Sequence, residues 1–154
     1  DLDGLSDSSV EVMLSSCPKL KSVNVNNNMM LTSKTLDCFA RYGQGIASLS
    51  IGGNANFDDE AMKNMLVHAE SLIKLKMSGC VSLTDATLQS ITHYGAALEY
   101  LDICQTATTA NGLLVLKHEL RGVELICDNL GYTAQEEMDD HLLRQNHTSR
   151  FRCA

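Results

Sequence analysis

The chain has 154 residues, 44% of them apolar and 20% charged, which is the composition of one globular domain and excludes a disordered tail, a collagen-like repeat or a low-complexity linker. Twelve Lys and Arg against nineteen Asp and Glu give a formal net charge of −7, so attraction to a phosphate backbone or an anionic membrane is disfavoured and nucleic acid is not an expected partner. No apolar run approaches the roughly 18 residues needed to span a bilayer, and Asp1-Leu2-Asp3-Gly4 has neither region of a signal peptide.

From the N-terminus, Leu5 opens a stretch in which Ser6-Asp7 can cap a helix and Val10 and Met13 follow at helical spacing. After the small residue Cys17 comes Leu20-x-x-Val23-x-Val25, whose end alternates apolar and polar as a short half-buried strand does. Both elements then return at a period of 26 residues. The helical part recurs as Leu31, Leu36, Phe39, then Phe57, Met62, Met65, then Leu83, Leu88, Ile91, with Thr32-Ser33, Asp58-Asp59 and Thr84-Asp85 as caps. Gly43, Ala69 and Gly95 stand at the Cys17 position, where the chain turns back. The strand part recurs as Ile46, Leu49, Ile51, then Leu72, Leu75, Met77, then Leu98, Leu101, Ile103.

The fourth unit departs from this period. Leu98, Leu101 and Ile103 are answered by Leu120, Val123 and Leu125 only 22 positions on, which predicts a shortened helix over Gly112 to Lys117. Beyond Leu125, Thr133-Ala134-Gln135-Glu136 has capping-box spacing and predicts a C-terminal helix to about Gln145 that closes the last unit. The organisation expected is repeats over residues 1–128 and a capping helix and tail over 129–154, with Asn146 to Ala154 extended or mobile. At the other end, Asp1-Leu2 aligns with Asn27-Asn28, and no initiator Met is present. The expectation is a cut array whose N-terminal edge is covered by upstream repeats or another chain, with Val10, Met13 and Val23 otherwise lacking a covering repeat.

A strand plus a helix every 26 residues cannot bury its own apolar face, whereas stacked neighbours can. The pattern resembles the leucine-rich repeat, most closely its cysteine-containing subtype, in which a Cys or Asn after the strand precedes a Leu-Thr-Asp step into the helix. Cys80 with Leu83-Thr84-Asp85 matches in full, and Asn28, Asn54 and Thr106 fill the Cys column elsewhere. The resemblance covers about residues 2 to 128. It implies an α/β leucine-rich repeat solenoid, a horseshoe segment with parallel inner strands and outer helices.

Most chemistry-bearing residues are explained by repeat position. The six cysteines (17, 38, 80, 104, 127 and 153) include no CxxC or CxxH and are read as reduced small hydrophobes of a cytoplasmic or nuclear protein. The run Asn54-Ala55-Asn56-Phe57-Asp58-Asp59-Glu60 has alternating oxygen ligands but lacks the Gly and distal Glu of a calcium loop, and is read as helix capping. Glu137, Asp139, Asp140, His141 and His147 offer no third ligand by spacing and are read as a solvated face. His68 shares a column with Tyr42 and Tyr94, which suggests semi-buried packing. The sequon Asn146-His147-Thr148 is expected to be unoccupied. With no phosphate loop, nucleophile elbow or HExxH present, no enzyme activity, cofactor or metal is expected.

What remains is the inner sheet face, the extended binding surface of solenoids. Its predicted rows are Ser22, Asn24, Asn26; Ser48, Ser50, Gly52; Lys74, Lys76, Ser78; Tyr100, Asp102, Cys104; and Gly122, Glu124, Ile126. Lys74, Lys76, Tyr100, Asp102 and Glu124 are the candidate protein-binding residues, a cationic stripe beside an aromatic and two acids. Repeats of this subtype are found most often in F-box proteins, so the resemblance implies a substrate-receptor region of a cullin-based ubiquitin ligase subunit. The ligase adaptor would bind an F-box, which is not within these residues. The alternative is a structural subunit bracing a large ciliary, mitochondrial or ribonucleoprotein assembly.

Overall fold

The computed structural model describes residues 4–120 and 122–127, with the backbone of Phe151–Arg152. Helices and strands alternate: α1 (Asp7–Ser16), β1 (Ser22–Asn24), α2 (Ser33–Tyr42), β2 (Ser48–Ser50), α3 (Asp59–His68), β3 (Lys74–Lys76), α4 (Asp85–Tyr94), β4 (Tyr100–Asp102), α5 (Ala110–Glu119), β5 (Glu124–Ile126) and β6 (Phe151–Arg152). Each described helix begins on a polar side chain that accepts an amide of its own first turn: Ser6, Thr32, Asp58, Thr84 and Thr109. Parallel strands need a crossover, and the helices supply it. The strands form one parallel sheet in chain order, and each helix packs on its sequence neighbours. This is the predicted leucine-rich solenoid.

Between the two layers lies one apolar core. Leu75, Met77, Leu88 and Ile91 are buried as their columns predict, and Cys80 is buried beneath the turn after its strand. Its thiol donates to the Ile51 carbonyl at 3.2 Å, and burial pushes it up to about 11. Asn54, in the same column one repeat earlier, donates through Nδ2 to the Val25 and Ile51 carbonyls and accepts the Asn28 amide at 3.0 Å. The column therefore satisfies backbone groups inside the stack that water cannot reach. One position before it, Asn27, Gly53, Gly79 and Gln105 all take positive φ, between 54° and 77°. At Gly53 a Cβ would also run into Asn27, so that turn admits little else.

Where strand turns into helix, a second ladder links the repeats. The Asp7 carboxylate accepts the Thr32 amide at 2.9 Å, the Thr32 hydroxyl at 2.7 Å and the Thr35 hydroxyl at 2.6 Å. Asp59 holds Thr84 and Thr87 in the same way, and Asp85 holds Thr109. Between α2 and α3 the polarity reverses, with the Ser33 hydroxyl donating to Asp58 at 2.5 Å. The first residue of each of α1 to α4 thus grips the cap of the next helix. The oxygen-rich run from Asn54 to Glu60 is absorbed here: Asp58 caps α3, Asp59 bridges to α4, and Asn56 donates to the Met29 and Leu31 carbonyls.

Several expectations are corrected. Helix α5 is not shortened; it has ten residues like the others. The missing residues come from the turns on either side, and Leu125 pairs with Leu101, a step of 24 rather than 22. Because strand side chains alternate with a period of two, the two-residue slip leaves Glu124 and Ile126 on the inner face. Gly122 falls in the turn before β5, while Cys104 and Gly52 are buried and do not line the inner face. His68 is exposed, its Nδ1 against the Asn64 carbonyl, so it is not a semi-buried packing residue. Cys17 is exposed too, whereas Cys38, Cys80, Cys104 and Cys127 are buried free thiols. At the N-terminal end Val10 and Val23 are buried, at 0% and 7% exposure, with Leu5, Met13 and Leu20 packed against the same cluster, so these core residues have cover within the chain. Phe151–Arg152, in the stretch expected to be extended or mobile, are extended and pair with Leu125 and Ile126 as a sixth strand. The predicted helix to Gln145, the Glu137 to His141 cluster, His147, the sequon and Cys153 lie outside the described residues.

Candidate protein-binding surface

The inner face has two lateral rows, because each three-residue strand presents its first and third side chains there. One row runs Ser22, Ser48, Lys74, Tyr100, Glu124; the other runs Asn24, Ser50, Lys76, Asp102, Ile126. The five candidate residues are therefore contiguous across β3, β4 and β5. All five are half-buried, and the strand residue between each pair of rows, such as Leu75 or Leu101, is in the core.

Over β1 and β2 the floor is small and neutral. Asn26 Oδ1 accepts the Ser50 hydroxyl at 2.9 Å and the Gly52 amide at 2.7 Å, so even its amide group is turned inward to the sheet. Over β3 and β4 the side chains rise and converge. Lys74 Nζ lies 4.3 Å from the Tyr100 ring centroid and Lys76 Nζ lies 5.5 Å from it. A cation above an aromatic face gains about 0.5–1 kcal/mol at an exposed site and more when water is excluded. Asp102 stands beside Lys76 in the register, yet its Oδ1 accepts the Cys104 amide at 3.3 Å and it forms no ion pair with that lysine. Neither ammonium group is paired with a carboxylate among the described residues.

Other surface features are of different character. Met29, Met30 and Val81 are 82%, 69% and 57% exposed and lie in the turns after β1 and β3. They fall outside the apolar repeat columns, and that displacement is the signal in the sequence that marks them as surface residues. On the outer side, Ser33, Asp37, Asp58, Lys63, Asn64 and Val67 line a groove of about 510 Å³ along α2 and α3. Its polar groups are engaged: Asp58 with Ser33, Asp37 with the Asn64 amide at 2.9 Å, and Lys63 with Glu60 at 3.9 Å. Among the described residues no His, Cys, Asp and Glu side chains group as a metal site, and no helix is long and apolar enough to cross a membrane.

No protein-family model and no curated protein matches the chain. Solved structures do. A chain of the crystal structure of the Rad7 and Elc1 complex in yeast superposes with a TM-score of 0.72 at 13% identity, over 88% of this chain and 37% of that one. The chain thus spans little more than a third of the protein it matches, and at that identity the likeness is one of fold. With the repeat columns, the parallel sheet and this match in agreement, the fold is a leucine-rich repeat solenoid.

Proposed function

We propose that this chain is a protein-recognition module that binds a partner protein on the inner sheet face over β3 to β5 and performs no chemistry itself. One observation carries the reading: Lys74 and Lys76 converge on the Tyr100 ring and are paired with no carboxylate among the described residues. Groups that serve only stability are satisfied within the fold, as the Asp7 and Asp59 bridges are. Cations left against an aromatic are instead suited to an incoming anion, and buried aromatics anchor interfaces.

Within that class, the substrate-receptor part of an F-box type ubiquitin ligase subunit, in the cytoplasm or nucleus, is the reading we favour. Its support is the Cys80 with Leu83-Thr84-Asp85 signature of the repeat subtype, together with a fold match whose structure is a complex of two proteins, Rad7 and Elc1. The exposed Met29, Met30 and Val81 favour a second reading, a scaffold subunit whose turn edge is covered in a larger assembly. Affinity purification of the full-length protein containing these residues separates the two. Recovery of a cullin and its adaptor supports the receptor; a stoichiometric particle without them supports the scaffold and removes the receptor.

A further inference from the structure

The turns that follow the strands carry a second surface, apart from the inner face. Met29, Ala55, Val81 and Ala107 occupy one position of successive repeats, directly after the buried column of Asn28, Asn54, Cys80 and Thr106, and all four are exposed. Met30 adjoins the first of them and is exposed as well. We propose that this ridge docks an amphipathic helix of a partner protein. Apolar residues of that helix at positions i, i+3 or i+4, and i+7 seat on Met29, Ala55 and Val81, and basic residues line its flank toward the helix starts. The inference is independent of what the inner face binds.

Hydrogen bonds between repeats hold the ridge in line. Asn56 Nδ2 donates to the Met29 carbonyl at 2.9 Å, the Ser82 hydroxyl to the Ala55 carbonyl at 2.7 Å and the Ala107 amide to the Leu83 carbonyl at 2.9 Å. Amides of Asn27, Gly53 and Gly79 also bond to the next repeat, so sheet-like stacking reaches to within two residues of the ridge. Its residues therefore follow one another at close to the strand spacing of about 4.8 Å. Met29 to Val81 is then about 10 Å, the rise of seven helical residues at about 1.5 Å each. The same bonds occupy carbonyls that an added strand would need, whereas a helix satisfies its own backbone and docks through side chains. Flexible, polarizable methionines adapt to such a face.

Charge selects the flank and disfavours other occupants. Asp7, Asp59 and Asp85 bond to the amides of Thr32, Thr84 and Thr109, two or three residues past the ridge, and Asp58 itself stands three residues past Ala55. Glu60 adds to this acidic row, and Lys34 is the only base in the first turns of the described helices. On the flank toward the inner face, Asn27, Gly53 and Gly79 are uncharged. A second copy of this chain would set acids against acids, and an anionic membrane would meet the same row and a net charge of −7. A helix with Lys or Arg along one flank meets the row with the opposite sign.

The test is selection from a phage-displayed library in which one face of a stable helical hairpin is randomised, with the full chain as target. Enriched helices are expected to carry large apolar residues at i, i+3 or i+4, and i+7, with Lys or Arg on one flank. They should bind the triple variant Met29→Ser, Met30→Ser, Val81→Ser about tenfold more weakly or worse, and Lys74→Met, Lys76→Met as tightly as the parent. All three serines replace exposed side chains, and thermal melts confirm that each variant folds. Raising salt from about 50 mM to about 500 mM should weaken binding several-fold. No enrichment, enrichment without a basic flank, or helices that bind the triple variant as tightly as the parent overturns the inference. Self-association in sedimentation equilibrium that the triple variant loses would assign the ridge to a second copy, and cosedimentation with phosphatidylcholine vesicles that it loses would assign the ridge to lipid; either overturns the inference too.

Discussion

The edge where strands turn into helices and the inner face over β3 to β5 are both rich in charge and hydroxyl groups, and they treat them in opposite ways. At the turn edge each carboxylate of Asp7, Asp59 and Asp85 accepts two or three hydrogen bonds from the cap of the next repeat. On the inner face two lysines share one ring and no described carboxylate. Satisfied groups hold repeats together, and unsatisfied groups are available to something else. The same residue types thus serve cohesion at the turn edge and, in the function proposed here, recognition on the inner face, and only their partners distinguish them.

Substitutions can break this contrast in graded steps. Leu75, directly beneath the two lysines, sets the upper scale: Leu75→Ala removes a fully buried side chain and should cost about 2–5 kcal/mol in urea denaturation. Asp59→Ala comes next, at about 2 kcal/mol, because it strips hydrogen bonds from Thr84 and leaves the buried Thr87 hydroxyl without its acceptor. Ser33→Ala, at the exposed link to Asp58, should cost about 1 kcal/mol or less. Smallest of all, Lys74→Met, Lys76→Met and Tyr100→Ala should each leave the melting temperature within a few degrees. A large loss of stability at those three positions would make the inner face structural and erase the contrast.

Acid sharpens it further. Burial alone would push the carboxyls of Asp7 and Asp59 up, but the hydrogen bonds donated by Thr32 and Thr35, and by Thr84 and Thr87, together hold both below the ordinary carboxylate range. The Ala61 amide and the Ser33 hydroxyl do the same for Asp58. A carboxyl whose folded value is lowered stabilises the fold fully above its unfolded value near about 4, and that contribution disappears as pH falls through the folded value. Melting temperature should therefore fall steeply below about pH 4, and more gently in Asp59→Asn, which has no proton to take up there. Equal pH dependence in the two proteins would remove Asp59 from the ladder's acid response.

The repeat was legible because its columns are apolar and strictly spaced: the central strand column of Val23, Leu49, Leu75 and Leu101 announces strand, face and register together. Where the spacing broke, sequence showed that residues were missing but not from which element, and the loss assigned to the helix had been absorbed by the turns. Glu124 survived that error through the parity of strand side chains, whereas Cys104 did not, since β4 ends at Asp102 and the chain folds inward after it. The pairing of Asp7 with Thr32 and of Asp59 with Thr84, each 25 residues apart, was present in the spacing, but capping within a helix explained the same residues and concealed the link between helices. The convergence of Lys74 and Lys76 on Tyr100 lay beyond pattern altogether. Register makes them neighbours, and only side-chain rotamers bring the three together.

The division between a cohesive edge and a recognising face is tested most directly by photo-crosslinking in cells, with a benzophenone amino acid placed at Tyr100 on the inner face or at the exposed Gln89 on the outer side of α4. The expected result is a discrete crosslinked protein from position 100 that is lost when Lys74 and Lys76 are changed to Met, and none from position 89. Crosslinking from position 89 alone, or from position 100 with no dependence on the two lysines, would contradict the account.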